Sequence, residues 1–151
     1  MRKVRFLGSA LLVLALSVSA LAQGQKAGDS LYKRLGGYDA LAAVTDDFIG
    51  RLVTNPQTSK FFTGFSDDSK KRIRQLVIDF LCQASGGPCV YNGRDMKTAH
   101  AGSGITEADW DDSVKDLVAT LNKFKVPEKE KGEVLTLASS LKADIVDAKK
   151  K

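Results

Sequence analysis

From Leu41 to Ile145 the apolar residues recur at intervals of three and four, and no stretch alternates apolar and polar for more than a few positions. That spacing follows the turn of an α-helix and leaves no half-buried strand, so the chain is expected to be all-α. Leu41, Val44, Phe48, Ile49 and Leu52 mark one helix face, interrupted at Asn55-Pro56. Pro56 is expected to start a short helix toward Phe61, Phe62 and Phe65, three rings that would anchor a corner of the core. Asp67, Asp68 and Ser69 supply N-terminal capping chemistry for a helix whose apolar face is Ile73, Val77 and Leu81, with Leu76 and Phe80 beside them. Its outer face carries Lys70, Lys71, Arg72 and Arg74. Thr106 with Asp109 reads as a capping box opening a helix with Trp110, Val114, Leu117, Val118, Leu121 and Phe124 on its apolar side. Pro127 and Glu128 start the last helix, with Val134, Leu137, Leu141 and Ile145 inward.

Glycines punctuate the pattern. Gly36-Gly37 is expected to stop a turn or two of helix over Asp29 to Leu35. Ser85 to Gly93 is too glycine-rich for regular structure, and Asp95 to His100 reads as a short helix ended by Gly102 and Gly104. Only three prolines, with 27% charged and 43% hydrophobic residues, exclude a disordered or collagen-like chain.

The first 22 residues have the order of a secretory signal. Arg2, Lys3 and Arg5 precede an apolar run from Phe6 to Leu16, and Ala20-Leu21-Ala22 supplies small residues for cleavage before Gln23. An uncleaved anchor is the alternative, although the run is short for a bilayer. Loss of those three basic residues removes three of the formal +5 charges. The expected organisation is a signal over 1–22, a flexible segment over 23–29, one domain over 30–146 and a basic tail over 147–151. The mature body is expected in the bacterial periplasm without stable membrane insertion. Cys82 and Cys89, separated by the Gly86-Gly87-Pro88 turn, would form one disulfide in that compartment or remain two independent thiols.

Candidate chemistry centres on His100, the one histidine. It reads either as an ordinary surface or half-buried side chain, or as a ligand that binds haem iron through one ring nitrogen while the other donates to a backbone carbonyl. One histidine and two cysteines do not supply the usual protein zinc site. Glu107, Asp109, Asp111 and Asp112 are expected to face solvent at a helix start, where they favour the positive end of its dipole. Lys70 to Arg74 is short and lacks interleaved aromatics, so no nucleic-acid partner is expected.

Four motifs carry a resemblance. Leu31-Tyr32-x-x-Leu35-Gly36-Gly37, Phe61-Phe62, Gly86-Gly87-Pro88-x-x-Tyr91-x-Gly93-Arg94-x-Met96 and His100-Ala101-Gly102-x-Gly104-Ile105-Thr106 occur in the order found in group I truncated haemoglobins. The chain resembles that family from about Ser30 to Val146. The resemblance implies a shortened globin in which two helices cross over two around noncovalent haem b. It places His100 at the iron, Phe62 and Trp110 against the haem, and Met96 in the motif leading to the ligand. Many members carry a tyrosine where this chain has Ile49 and a glutamine where it has Val77, and Ile73 and Leu81 extend the same apolar wall. Gln75 lies about 200° round the helix from Val77 and is expected to face away. The distal side is thus expected to lack a hydrogen-bond donor.

A small gaseous ligand follows from this resemblance: nitric oxide, carbon monoxide, or oxygen held without polar help. One alternative is a nitric oxide dioxygenase or other haem redox enzyme drawing on an unidentified electron donor. Peroxidase chemistry would want a distal base, which Ile73 and Val77 do not supply. The other alternative is a haem-free helical binding protein that has kept the shape.

Overall fold

A computed structural model describes residues 28–147. The signal expected over 1–22, most of the 23–29 segment and all but Asp147 of the basic tail lie outside the described residues. Within them the chain forms α1 (Leu31–Arg34), α2 (Gly37–Thr54), a 3-10 turn over Ser59–Phe62, α3 (Asp67–Ala84), α4 (Met96–His100), α5 (Glu107–Lys123), α6 (Glu128–Ser140) and α7 (Lys142–Ile145), with no strand among the described residues. None of these helices is long and apolar enough to cross a membrane.

Helix ends follow local chemistry. The Ser30 hydroxyl accepts from the Lys33 N–H, and α1 stops at Gly36 and Gly37, whose φ of 98° and 78° are left-handed. The same pair launches α2, so one glycine dipeptide both ends and begins a helix. The first difference from the sequence pattern comes at Pro56, which starts no helix. The Asn55 side chain accepts from the Gln57 N–H at 2.9 Å, and the Asn55 carbonyl accepts from Thr58 and Ser59. This closes a turn across the proline and delays the 3-10 turn to Ser59. The cap of α3 is Ser66, one residue before the expected group, with Asp67 and Asp68 in the first turn. Similarly, Pro127 caps α6 from outside, and Leu141 breaks the last helix into α6 and α7.

α2 packs on both α3 and α5, and α6 meets α1, α5 and α7. The fully packed apolar core is small: Leu31, Leu41, Ile78, Cys82 and Leu121. On α3 the buried residues are Ile78 and Cys82, whereas Ile73, Val77 and Leu81 are half-buried. Residues 77 and 78 are 100° apart on a helix, so α3 buries one row and leaves the adjacent apolar row partly open. Two aromatic expectations fail. Phe65 follows Gly64 (φ 83°) out of the 3-10 turn and is 42% exposed, and Phe124, at the C-cap of α5, is 39% exposed under the Lys123 ammonium.

Charged side chains bind the helices across the gaps. Arg34 donates to Glu130 at 2.8 Å and also to Glu133, joining α1 to α6. Glu130 is buried by this pairing, while Val134, Leu137, Leu141 and Ile145 are half-buried. Arg74 grips Asp46 with two donors, joining α3 to α2. Asp47 accepts from Lys123, Arg51 and Thr120, which outweigh its burial and hold its carboxyl well below the usual carboxylate range.

α5 ends in a Schellman motif: the Val126 N–H reaches the Leu121 carbonyl at 3.0 Å and the Lys125 N–H reaches Asn122 at 3.0 Å. Lys125 occupies the left-handed position with φ 53°, where a Cβ is strained. Lys125→Gly is expected to stabilise the fold by about 0.5–1 kcal/mol, raising the thermal midpoint by roughly 3 °C. A lower midpoint would mean that the lysine side chain contributes more than the backbone strain costs.

Candidate functional site

His100 ends α4, a five-residue helix held at its start by Asp95. One Asp95 oxygen accepts from the Thr98 N–H at 2.9 Å and the other from the Thr98 hydroxyl at 2.7 Å, which lowers the Asp95 pKa from its ordinary value. His100 Nδ1 lies 2.8 Å from the Met96 carbonyl oxygen. A carbonyl only accepts, so this bond places the proton on Nδ1 and leaves the lone pair of Nε2 for a ligand. Met96, four residues earlier, therefore acts through its backbone to set the tautomer of His100.

The segment leading to α4 is braced at several points. Cys82 and Cys89 are joined by a disulfide. The Gly87 N–H donates to the Cys82 carbonyl at 2.7 Å, and a Cβ on Gly87 would lie 2.6 Å from the Tyr32 ring and 2.7 Å from Cys82 Sγ. Only glycine fits there. The Tyr91 N–H donates to Gln83 at 2.7 Å, its hydroxyl donates to the Arg94 carbonyl at 2.6 Å, and its ring meets Phe80 edge-on at 5.3 Å between centroids. Burial, with Asp95 nearby, pushes the Tyr91 phenol up. Beyond His100, the Gly104 N–H donates to the Asp147 carboxylate and the Asp147 N–H donates to the Ile105 carbonyl at 2.9 Å. The turn after His100 is thereby tied to the end of the domain.

A second anchorage lies at the start of α5. Both halves of the Thr106–Asp109 capping box are present. Asp109 was expected to face solvent with its acidic neighbours, yet it is fully buried. One of its oxygens accepts from Gln57 at 2.7 Å and from Lys60 at 2.7 Å; the other accepts from the Thr106 N–H at 2.8 Å and hydroxyl at 2.6 Å. Burial alone would raise this pKa, but the donors from Lys60, Thr106 and Gln57 outweigh it and hold the carboxyl well below the usual range. Asp109 thus ties the turn carrying Phe62 to the helix carrying Trp110.

The apolar candidates are distributed over four elements: Ile49 on α2, Phe62 on the 3-10 turn, Ile73, Val77 and Leu81 on α3, and Trp110 on α5. All six are half-buried, as are Met96 and His100. Ile49 lies one and two turns beyond buried Thr45 and Leu41 on one face of α2. Gln75 is exposed, donating to the Tyr38 hydroxyl at 2.8 Å and to Asp79 at 2.9 Å, so it takes no part in the Val77 face. Open grooves lined by Leu31, Ser85, Glu133 and Leu137, and by Thr106, Ser139, Lys142 and Val146, contain none of these residues.

Half-buried apolar rows on separate helices, together with a histidine whose Nδ1 is bonded to a backbone carbonyl, are the residue types that suit a broad flat apolar group taking one axial nitrogen. Covering such rows is worth about 25 cal/mol for each Å² removed from water. No cluster of three or more His, Cys, Asp or Glu among the described residues is placed to hold a bare metal ion.

Comparison with known proteins places the chain in a family. A family model described as bacterial-like globin matches residues 30–147. The chain is 34% identical over 116 residues to a group 1 truncated hemoglobin of Mycolicibacterium paratuberculosis, covering 77% of this chain and 83% of that protein. It is 34% identical over 115 residues to a group 1 truncated hemoglobin of Synechocystis, covering 74% and 90%. The ferric truncated hemoglobin of Tetrahymena pyriformis matches with a TM-score of 0.72 at 25% identity, over 80% of this chain and 100% of that one. The 2/2 hemoglobin of Synechococcus, in the cyanomet state with covalently attached heme, matches with a TM-score of 0.71 at 28% identity, also over 80% and 100%. With its all-α, shortened two-over-two fold, the chain belongs to the group I truncated haemoglobins.

Proposed function

We propose that this chain is an exported haem b protein that binds diatomic gases at an iron ligated by His100, inside a distal wall made of Ile49, Ile73, Val77 and Leu81. Haem b is the cofactor that membership in the family brings, and gaseous ligands come with it. The observation that carries the axial assignment is the 2.8 Å bond from His100 Nδ1 to the Met96 carbonyl, because it presents Nε2 in the form a metal needs. Phe62 and Trp110 supply rings to pack on the cofactor, and Asp109 fixes the elements that carry them. Export is supported by the basic, apolar, small-residue order of the first 22 residues and by the Cys82–Cys89 bond, which persists in oxidising compartments.

When bound, ferrous haem would supply the chemistry that takes up a diatomic gas, and among these gases oxygen would draw the most electron density onto itself. Ile49, Ile73, Val77 and Leu81 carry no side-chain N–H or O–H to meet that density, and Gln75 is engaged outside. The protein should therefore hold carbon monoxide and nitric oxide well and release oxygen readily.

Val77→Gln tests the pocket. A donor placed there is expected to slow oxygen dissociation roughly tenfold or more, with carbon monoxide dissociation changed by no more than about twofold. Flash photolysis and stopped-flow rates on ferrous protein measure both. Equal effects on the two gases, or none on oxygen, would remove Val77 from the distal wall.

A further inference from the structure

The disulfide divides its two sulfurs between unlike surroundings. Cys82 is fully buried and covered by Gly87, whereas Cys89 is half-buried between exposed Pro88 and Val90, the latter 78% exposed. From Cys89 the chain reaches α4 through the Tyr91 contacts to Gln83, Phe80 and Arg94 and the Asp95 cap. Of the links that set where α4 begins relative to α3, this bond is the covalent one; the others are individual hydrogen bonds and one ring contact, each weak by comparison.

We propose that the Cys82–Cys89 bond is a thiol-exchange site, opened at Cys89 by an exported dithiol partner of the Cys-x-x-Cys type, and that its state sets how firmly α4 presents His100 to the haem. The second half of this inference rests on His100 being the axial ligand; the first half does not. Exposure decides the direction of attack. A donor thiolate reaches Cys89 Sγ, forms a sulfur–sulfur bond to it and breaks the bond to Cys82, which leaves as a thiolate and takes a proton from water. The donor's second thiolate then attacks the donor's own sulfur in the mixed disulfide. Cys89 leaves as a thiolate and is protonated, and the donor departs as a disulfide. Two electrons and two protons pass to this chain. Cys82 leaves from buried surroundings at the C-terminal end of α3, out of reach of a small thiol. Opening is therefore slow with free thiols and favours a partner that docks on the exposed Pro88–Val90 loop.

The test uses ferric holoprotein and a thioredoxin-type donor whose resolving cysteine is replaced by serine. Mass mapping of the trapped adduct is expected to place the donor on Cys89. An adduct on Cys82, or none where a control disulfide is captured, overturns the site. In parallel, haem transfer to apomyoglobin is timed for oxidised protein, for protein reduced with a phosphine, and for Cys82→Ser/Cys89→Ser, with circular dichroism following the fold. Loss of the bond is expected to speed haem transfer roughly tenfold with helicity retained, and reoxidation is expected to restore the slow rate in the wild type. Unchanged transfer overturns the coupling. Global unfolding on reduction overturns it as well, since the bond would then staple the whole fold. His100→Ala in the same assay separates the two layers: if it leaves haem retention unchanged the axial assignment fails, while the mapped position of the adduct stands on its own.

Discussion

His100→Ala is expected to abolish the stoichiometric Soret species and to speed haem loss by more than roughly 100-fold, beyond the 10–100-fold typical of removing a partner that only supports a metal ligand. The effect originates in α4. Five residues make a helix too short to be stable alone, so its position comes from the Asp95–Thr98 cap and from contacts with α7. Within that frame the Met96 carbonyl sets the tautomer, and alanine removes the one imidazole the chain has. His100→Gly with added imidazole provides the control. A free imidazole entering the space is expected to restore a His-like spectrum in ferric and ferrous protein, which a merely unfolded variant would not do. A wild-type spectrum in His100→Ala without imidazole would place the iron on another ligand.

The second large effect concerns stability. Asp109→Asn is expected to cost about 2–4 kcal/mol, because an amide nitrogen would face donors from Thr106 or from Gln57 and Lys60 where a carboxylate oxygen accepted them. Urea unfolding at neutral pH measures it. The pH dependence has a definite sign. The folded pKa of Asp109 lies below its unfolded value, near 3.9 for an aspartate, so its contribution is complete above that value and is lost as pH falls toward the folded one. The gap between wild type and Asp109→Asn should be constant from neutrality to about pH 5 and narrow in stronger acid. A gap independent of pH down to strong acid would assign the cost to lost shape and packing instead of charge.

Much of the architecture was legible because it is local. The 3.6-residue spacing marked α2, α3, α5 and α6, Gly36-Gly37 marked the boundary between α1 and α2, and Thr106 with Asp109 marked a cap whose two halves both form. The errors arose where distant residues decide. Asp109 resembled its exposed neighbours Glu107 and Asp111, and nothing in the local sequence shows that Gln57 and Lys60, from about fifty residues earlier, reach it. Glu130 is buried and pairs with Arg34, from the other end of the domain, which its own neighbours do not announce. On α3, periodicity located an apolar face along Ile73, Val77 and Leu81 but not which residues are fully enclosed; Ile78 and Cys82 are, and Ile73, Val77 and Leu81 are half-buried. The candidate site residues rest on the resemblance of the Gly86–Met96 and His100–Thr106 motifs to the family. What the motif did not disclose was the mechanics behind it: the Tyr91 latch, and the approach to Cys82 that only glycine at position 87 allows.

The tie between Gly104, Ile105 and Asp147 has a temporal consequence. A chain emerging from the ribosome, or from a translocation channel, presents His100 well before it presents Asp147, so the turn beside the histidine lacks its outer support until the domain is almost completely delivered. α7, which packs on α4, arrives in the same late interval. The support of the turn beside His100 is thus completed only when Asp147 has been delivered, more than forty residues of synthesis after the histidine itself.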